Sequence, residues 1–295
     1  MSKEATGIIR RAHPGDIPAL QTIWKTAFDD SNEETETFFV SCFEPQMTVV
    51  VDCGNGPVAA GYLLPFGSLI SVGLNVPCAM IYAVAALNDY RSRGFGTAVV
   101  RKLILIGCEE GFKAIVLSPS SDSLFEYYSS RTGFFDCFYV HEKLHKSSSG
   151  SGAAISLTQI LADEYIQLRE QLLLHVPHIA FDESAASYQL LLCSQFGGGI
   201  FRVNAKIGVG CVVIEKQSNG EVLIKELLTS LISETDVLSA IATMFPAGGY
   251  LVRRPVSVSD SGSETRRFGM LAASSDIFST IKKNSGAPYY GLAFD

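Results

Sequence analysis

Residues 79–106 constrain this chain more than any other stretch. Ala79–Leu87 is an apolar run of strand length, and it enters a loop carrying two glycines and two arginines, Arg91-Ser92-Arg93-Gly94-Phe95-Gly96. From Thr97 the helical spacing of Val99, Val100, Leu103, Ile104 and Ile106 takes over. A buried strand that turns through glycines into a helix is a place for an anion. Gly94 and Gly96 let a ligand approach the backbone closely, and the first turn of the helix has unpaired N–H groups at the positive end of its dipole. Arg91 and Arg93 add permanent charge. A P-loop would need Gly-Lys-Ser/Thr, but Gly96 is followed by Thr97-Ala98. A dinucleotide fingerprint would need a third glycine where Val99 stands and an acidic residue at the next strand end, and has neither. Arg/Gln-x-x-Gly-x-Gly/Ala remains, and Arg91, Gly94 and Gly96 fit it. The plain alternative is a tight strand-to-helix turn with surface arginines.

The chain has room for more than this unit. Its 295 residues suffice for one large domain or two ordinary ones, and the 47% of hydrophobic residues supplies a substantial core. Lys146–Gly152 is a Ser/Gly run that buries little. It divides the chain into a domain at 1–146, a linker at 147–152 and a domain at 153–295. Net charge is −7 and no basic patch is interleaved with aromatics, so nucleic acid is not an expected partner. No apolar segment reaches the length of a membrane span, and the N-terminus has no signal-peptide pattern, so the expected compartment is the cytoplasm. The seven cysteines and five histidines show no metal spacing, so no metal is expected.

Around the central unit, Gly7–Ala12 reads as a strand and Asp16 as the cap of a helix with Ile17, Leu20, Trp24 and Phe28 on one face. Met47–Cys53 and Val58–Leu64 form a hairpin across Gly54-Asn55-Gly56-Pro57. Ala114–Leu117 is a buried strand, Ser123–Ser130 a helix and Phe134–Val140 a strand. The second half repeats part of this outline, with a helix around Thr158–Leu174 and strands near Gly199–Val203, Gly208–Glu215 and Val222–Leu227. A helix from Ser233 to Met244 and a strand at Tyr250–Arg254 complete it.

The stretch from Tyr82 to Thr97 resembles the acetyl-CoA signature of the GNAT acetyltransferase superfamily. The opening strand with Arg10 and Asp16, the hairpin, and Tyr127-Tyr128 ahead of Gly133-Phe134 fall in the family's order, over about residues 8–145. The resemblance implies a mixed, splayed α/β (α+β) sheet flanked by helices, followed by a second, smaller GNAT-like α+β domain that has lost its phosphate site. It implies acetyl-CoA as co-substrate and an amine, small molecule or peptide, as acceptor, attacked directly and without an acyl-enzyme. Val84, Ala85 and Ala86 would offer backbone groups to pantetheine, with an N–H near Val84 stabilising the oxyanion. Arg91, Ser92, Arg93, Gly94, Phe95, Gly96 and Thr97 would hold the pyrophosphate, and Pro119 and Ser120 would touch the pantetheine arm. Either Tyr127 or Tyr128 would protonate the leaving thiolate; Tyr128 is preferred because it follows Leu124-Phe125 at the family's offset. Asn88 stands where the family commonly has Pro. No general base is evident among Asp29, Asp30, Glu33, Glu34 and Glu36, and Cys78 and Cys108 have no neighbouring histidine. The apolar Pro288–Phe294 is expected to be buried, with Asp295 as a terminal base the bolder alternative. A homodimer is among the expected assemblies, and a non-catalytic acyl-CoA sensor on the same fold is the rival function.

Overall fold

The structure is a computed structural model that describes residues 7–28, 30–146, 155–257, 260, 264–283 and 286–294. The Ser/Gly run at 147–152, Asp29 and Asp295 lie outside the described residues. Contacts group the chain into two compact units assembled from alternating segments. The first holds residues up to Phe66, Val76–Asp136 and Met270–Ser274; the second holds Gly67–Asn75, Cys137–Gly269 and the residues from Ser275 on.

The first unit begins with β1 (Ile8–Arg11), a 3-10 turn at Pro14–Asp16, α1 (Ile17–Ala27) and α2 (Asn32–Ser41). Then come β2 (Thr48–Asp52), β3 (Pro57–Ser71) and β4 (Leu74–Ala86). The crossover α3 (Phe95–Glu109) leads to β5 (Ala114–Leu117), α4 (Asp122–Thr132) and β6 (Phe135–Lys146). Arg10 ties the start together: it donates to Asp16 at 2.7 and 3.0 Å and to Asp52 at 2.9 Å. Asp52 also accepts the N–H groups of Gly54 and Gly56, which fixes the β2–β3 hairpin. Helix α3 buries Val99, Val100, Leu103 and Ile106 against the sheet, each side chain worth about 1.5–3 kcal/mol of burial.

The strand order is β1-β2-β3-β4-β5, with β1–β2 and β2–β3 antiparallel and β4–β5 parallel. That pair is short. It joins Cys78, Ala79 and Met80 to Ala114, Ile115 and Val116, and then the strands part. Beyond β5 the sheet continues with Met270–Ala273, the end of the strand β13 (Thr265–Ala273), antiparallel to Ala114–Leu117.

The second unit follows the same plan. Its elements in chain order are β7 (Ser156–Gln159), α5 (Ala162–Leu172), β8 (His178–Phe181), α6 (Glu183–Gln195) and β9 (Gly199–Asn204). Next come β10 (Val209–Lys216), β11 (Val222–Ser230), α7 (Glu234–Met244), β12 (Gly249–Pro255), β13 and α8 (Ser275–Lys283). The order β7-β9-β10-β11-β12 matches β1-β2-β3-β4-β5, and β11 and β12 are again parallel over only three pairs, Val222–Ile224 with Tyr250–Val252. β12 then pairs with β6 over residues 140–146. The repeated outline therefore exchanges a strand: β6, from the first half of the chain, closes the second unit, and the end of β13, from the second half, closes the first.

Several expectations shift at their edges. β3 runs on through Pro65, which is exposed, to Ser71, and β4 begins at Leu74 rather than Ala79. The predicted helix around Thr158 begins only at Ala162, because Ser156–Gln159 pairs with β9 as strand β7. Tyr289–Phe294 is buried, as expected, but only Tyr289 makes a bridge, to His178. Arg169, Tyr165 and Glu226 form a buried ionic cluster beside it, and Arg169 also donates to the Tyr290 carbonyl. Among the described residues no helix is long and apolar enough to cross a membrane, and no group of three or more His, Cys, Asp and Glu could hold a metal.

Candidate active site

The interruption of β4 is built into its backbone. Ala83 takes φ +47°, a left-handed conformation that costs an L-residue about 1–2 kcal/mol. Ala79 and Ile81 face the core under α3, and after Ala83 the residues packed on that same core are Val84 and Ala86. Strict alternation would have put Ala83 and Ala85 there. One residue has been absorbed, as in a β-bulge, and the strand beyond it no longer pairs with β5.

Where β4 ends, Arg91 donates from Nε to the Ala86 carbonyl at 3.3 Å. The loop then bends through left-handed Ser92 (φ 59°) and Gly94 (φ 81°), and α3 starts at Phe95. No side chain caps this start, its first turn has no acidic residue, and the first helical bond is Ala98 N–H to the Gly94 carbonyl at 3.1 Å. Gly96 sits tightly. A Cβ there would lie 3.1 Å from the Tyr127 hydroxyl, which shares a 2.8 Å hydrogen bond with Thr97 Oγ1.

These features share one open cleft of about 510 Å³, within the usual size of a small-molecule site. Val84, Ala85, Ala86, Arg91, Ser92 and the Gly94–Thr97 turn line it, with Tyr128 opposite on α4. Three expected residues do not line it. The Arg93 guanidinium is folded back, donating to the Asp89 carbonyl at 2.7 Å and stacking over Tyr90 at 5.0 Å. Pro119 is buried and Ser120 exposed, just beyond the end of β5. Conversely Tyr90, Leu124, Tyr127 and Arg131 line the cleft. Leu124, Tyr127, Tyr128 and Arg131 stand at i, i+3, i+4 and i+7 of α4, so the helical period itself could have marked Leu124 and Arg131.

The two tyrosines differ in environment. The Tyr127 hydroxyl is committed to Thr97. The Tyr128 ring is 9% exposed and packs against Phe134, yet its hydroxyl has no hydrogen-bond partner among the described residues. Burial, and then the neighbouring Tyr127, push the Tyr128 phenol up to about 12. The phenol therefore keeps its proton at neutral pH.

Other candidates have structural work. Asp30 accepts the Trp24 indole N–H at 2.8 Å, and Glu34 closes a capping box with Ser31 at the start of α2. Glu33 and Glu36 are exposed. Burial pushes the Cys78 thiol well up, which disfavours a nucleophilic thiolate.

The helix α7 offers a control from within the chain. Ser233 caps it, accepting from Asp236 N–H, and Glu234 and Asp236 occupy its first turn. Its positive end is already satisfied and screened by carboxylates, with no glycine or arginine ahead of it.

A mixed sheet splayed at a bulged strand, with a glycine turn leading into the crossover helix, is the GNAT fold. Residues 8–134 match the family model described as an acetyltransferase (GNAT) domain. Among solved structures, a conserved protein of unknown function from Enterococcus faecalis V583, described as a "Probable N-Acyltransferase", is similar at TM-score 0.68 and 12% identity, over 91% of this chain and 73% of that one. A GCN5-related N-acetyltransferase from Kribbella flavida is similar at TM-score 0.65 and 16% identity, over 90% and 72%. A tandem GNAT protein from the clavulanic acid biosynthesis pathway is similar at TM-score 0.53 and 13% identity, over 90% and 97%. No curated protein matches the sequence.

Proposed function

We propose that the chain is an N-acetyltransferase that binds acetyl-CoA in the cleft of the first unit and passes the acetyl group to an amine. The observation that carries this reading is electrostatic. The chain has a net charge of −7, yet this cleft has Arg91, Arg131 and the uncapped start of α3 in its wall, and no carboxylate among its described lining residues. The phosphate groups of a coenzyme suit that combination.

In this reading pantetheine runs along Val84, Ala85 and Ala86, whose backbone is free of β5, like an added strand. A backbone N–H near Val84 polarises the thioester carbonyl. The neutral amine attacks the carbonyl carbon, the C–N bond forms and the C–S bond breaks. The leaving thiolate takes the Tyr128 proton, and the proton shed by nitrogen passes to solvent, which reprotonates Tyr128. Proximity in one cleft supplies much of the acceleration. Residues 1–146 are then the acetyl-CoA-binding part of the chain, and 153–295 a GNAT-like part without a phosphate site.

The test is turnover of acetyl-CoA against a panel of small amines and peptide N-termini, read as thiol release, with binding followed by calorimetry. Acetyl-CoA binding with amine-dependent thiol release is the expected result. Binding with no thiol release from any amine would make the chain a sensor. Gly96→Glu should abolish acetyl-CoA binding, because its side chain meets Tyr127 and brings a negative charge to the helix start; unchanged affinity in a folded variant would remove the site.

A further inference from the structure

Arg131 is the feature of the cleft that the signature does not account for. It lies in the last turn of α4, one helical turn beyond Tyr127 and Tyr128 and on the same stripe, and it lines the same cleft. Its side chain is exposed and has no ion pair among the described residues. Its backbone is nevertheless held. Arg101, on α3, donates to the Arg131 carbonyl from Nε at 3.1 Å and from Nη2 at 2.7 Å. One turn earlier, Thr97 and Tyr127 make the corresponding bond between the same two helices. Two successive turns of α3 and α4 are thus clamped, and the clamp fixes where the Arg131 guanidinium starts from.

Charge counting gives this arginine a task. Coenzyme A carries a pyrophosphate and, separately, a phosphomonoester on its ribose that bears about −1.5 to −2 near pH 7. The start of α3 offers about half a positive charge, and Arg91 one more, both at the glycine turn. Arg93, the other cation of the loop, is turned back onto Asp89 and Tyr90. Among the described residues that line the cleft, Arg131 is the cation that remains for the phosphomonoester. A guanidinium suits such a group, because its planar fork can meet two phosphate oxygens at once.

We propose that Arg131 binds the 3′-phosphate of the coenzyme and so makes the cleft selective for acetyl-CoA over its 3′-dephospho form. The proposal rests on the acetyl-CoA reading of the cleft. It assigns separate phosphates to separate arginines: the pyrophosphate to Arg91 and the glycine turn, the ribose phosphate to Arg131.

The experiment measures Kd of the full chain for acetyl-CoA and for 3′-dephospho-acetyl-CoA, in the wild type and in Arg131→Gln, Arg91→Gln and Arg93→Gln. The wild type should prefer acetyl-CoA by about 10- to 100-fold, the usual range for a charged hydrogen bond. Arg131→Gln should bring acetyl-CoA down to the dephospho level while leaving dephospho-acetyl-CoA within about twofold, as expected for removal of a single partner. Arg91→Gln should weaken both ligands alike. Equal loss of both ligands in Arg131→Gln, a wild type indifferent to the 3′-phosphate, or loss of the preference in Arg91→Gln or Arg93→Gln alone would overturn the assignment. A wild type that binds neither ligand would instead remove the acetyl-CoA reading itself.

Discussion

Tyr127 and Tyr128 are neighbours in sequence with opposite commitments, and their substitution should separate two effects. Tyr128→Phe is expected to lower turnover by about 100-fold or more, the usual contribution of a general acid, while acetyl-CoA binding changes little. Tyr127→Phe loses the bond to Thr97 and should cost about 0.5–1.5 kcal/mol of stability, with a smaller effect on turnover. Steady-state kinetics and denaturant unfolding of both variants check this, and a reversed pattern would move the acid to Tyr127. Because burial raises the Tyr128 phenol to about 12, it stays protonated through the ordinary range, and no loss of rate between pH 7 and 10 should trace to it. An alkaline limb in that range that disappears in Tyr128→Phe would contradict the environment described here. The sequence carried this pair but could not choose between its members on physical grounds. Which phenol is bonded depends on Thr97, 30 residues away, and on how α3 meets α4.

At the scale of elements, the bulge at Ala83 decides which face of β4 the cleft receives. A left-handed conformation tolerates alanine poorly and a β-branched residue worse. Ala83→Val should therefore destabilise the protein by about 1–2 kcal/mol in denaturant unfolding, a typical penalty for backbone strain of this kind. It should also impair acetyl-CoA binding, whereas Ala83→Gly should be near neutral in stability. Equal stability of the valine variant would mean that β4 is not bulged at this residue. In the sequence Ala79–Leu87 reads as one uniform apolar strand, and nothing in it announces the switch of face between Ile81 and Val84. The glycine turn and α3 were legible because glycines and a 3.6-residue period mark them directly. Other elements had no such mark. Helix α2 (NEETETFFVS) buries only Thr35 and Phe38, and α6 has apolar residues around most of its circumference, so neither shows a clean stripe. β8 is four residues long and takes its meaning from pairing with residues 67–70.

For the whole molecule, the exchange of strands matters most. All four residues of β5 are buried, and its partner Met270–Ala273 comes from the far side of the Ser/Gly run. The fragment 1–146 should therefore fold poorly or aggregate through the bare edge of β5. Co-expression with 153–295 should restore a soluble pair that binds acetyl-CoA. A monomeric, stable 1–146 that binds acetyl-CoA unaided, as judged by sedimentation and calorimetry, would show that the exchanged strand is dispensable. No local pattern could have revealed this, since TRRFGMLAA reads as an ordinary half-polar strand whichever edge it joins. The exchange also sets a timetable for synthesis. A ribosome makes the glycine turn, both tyrosines and all of β5 before residue 136, but Met270 emerges only after more than a hundred further residues. At about 5–20 residues per second, the nascent first unit waits several seconds or longer with an open sheet edge. The protein is thus exposed to misassembly while it is being made, and its yield in cells should be more sensitive to chaperone supply than the stability of the finished fold would indicate.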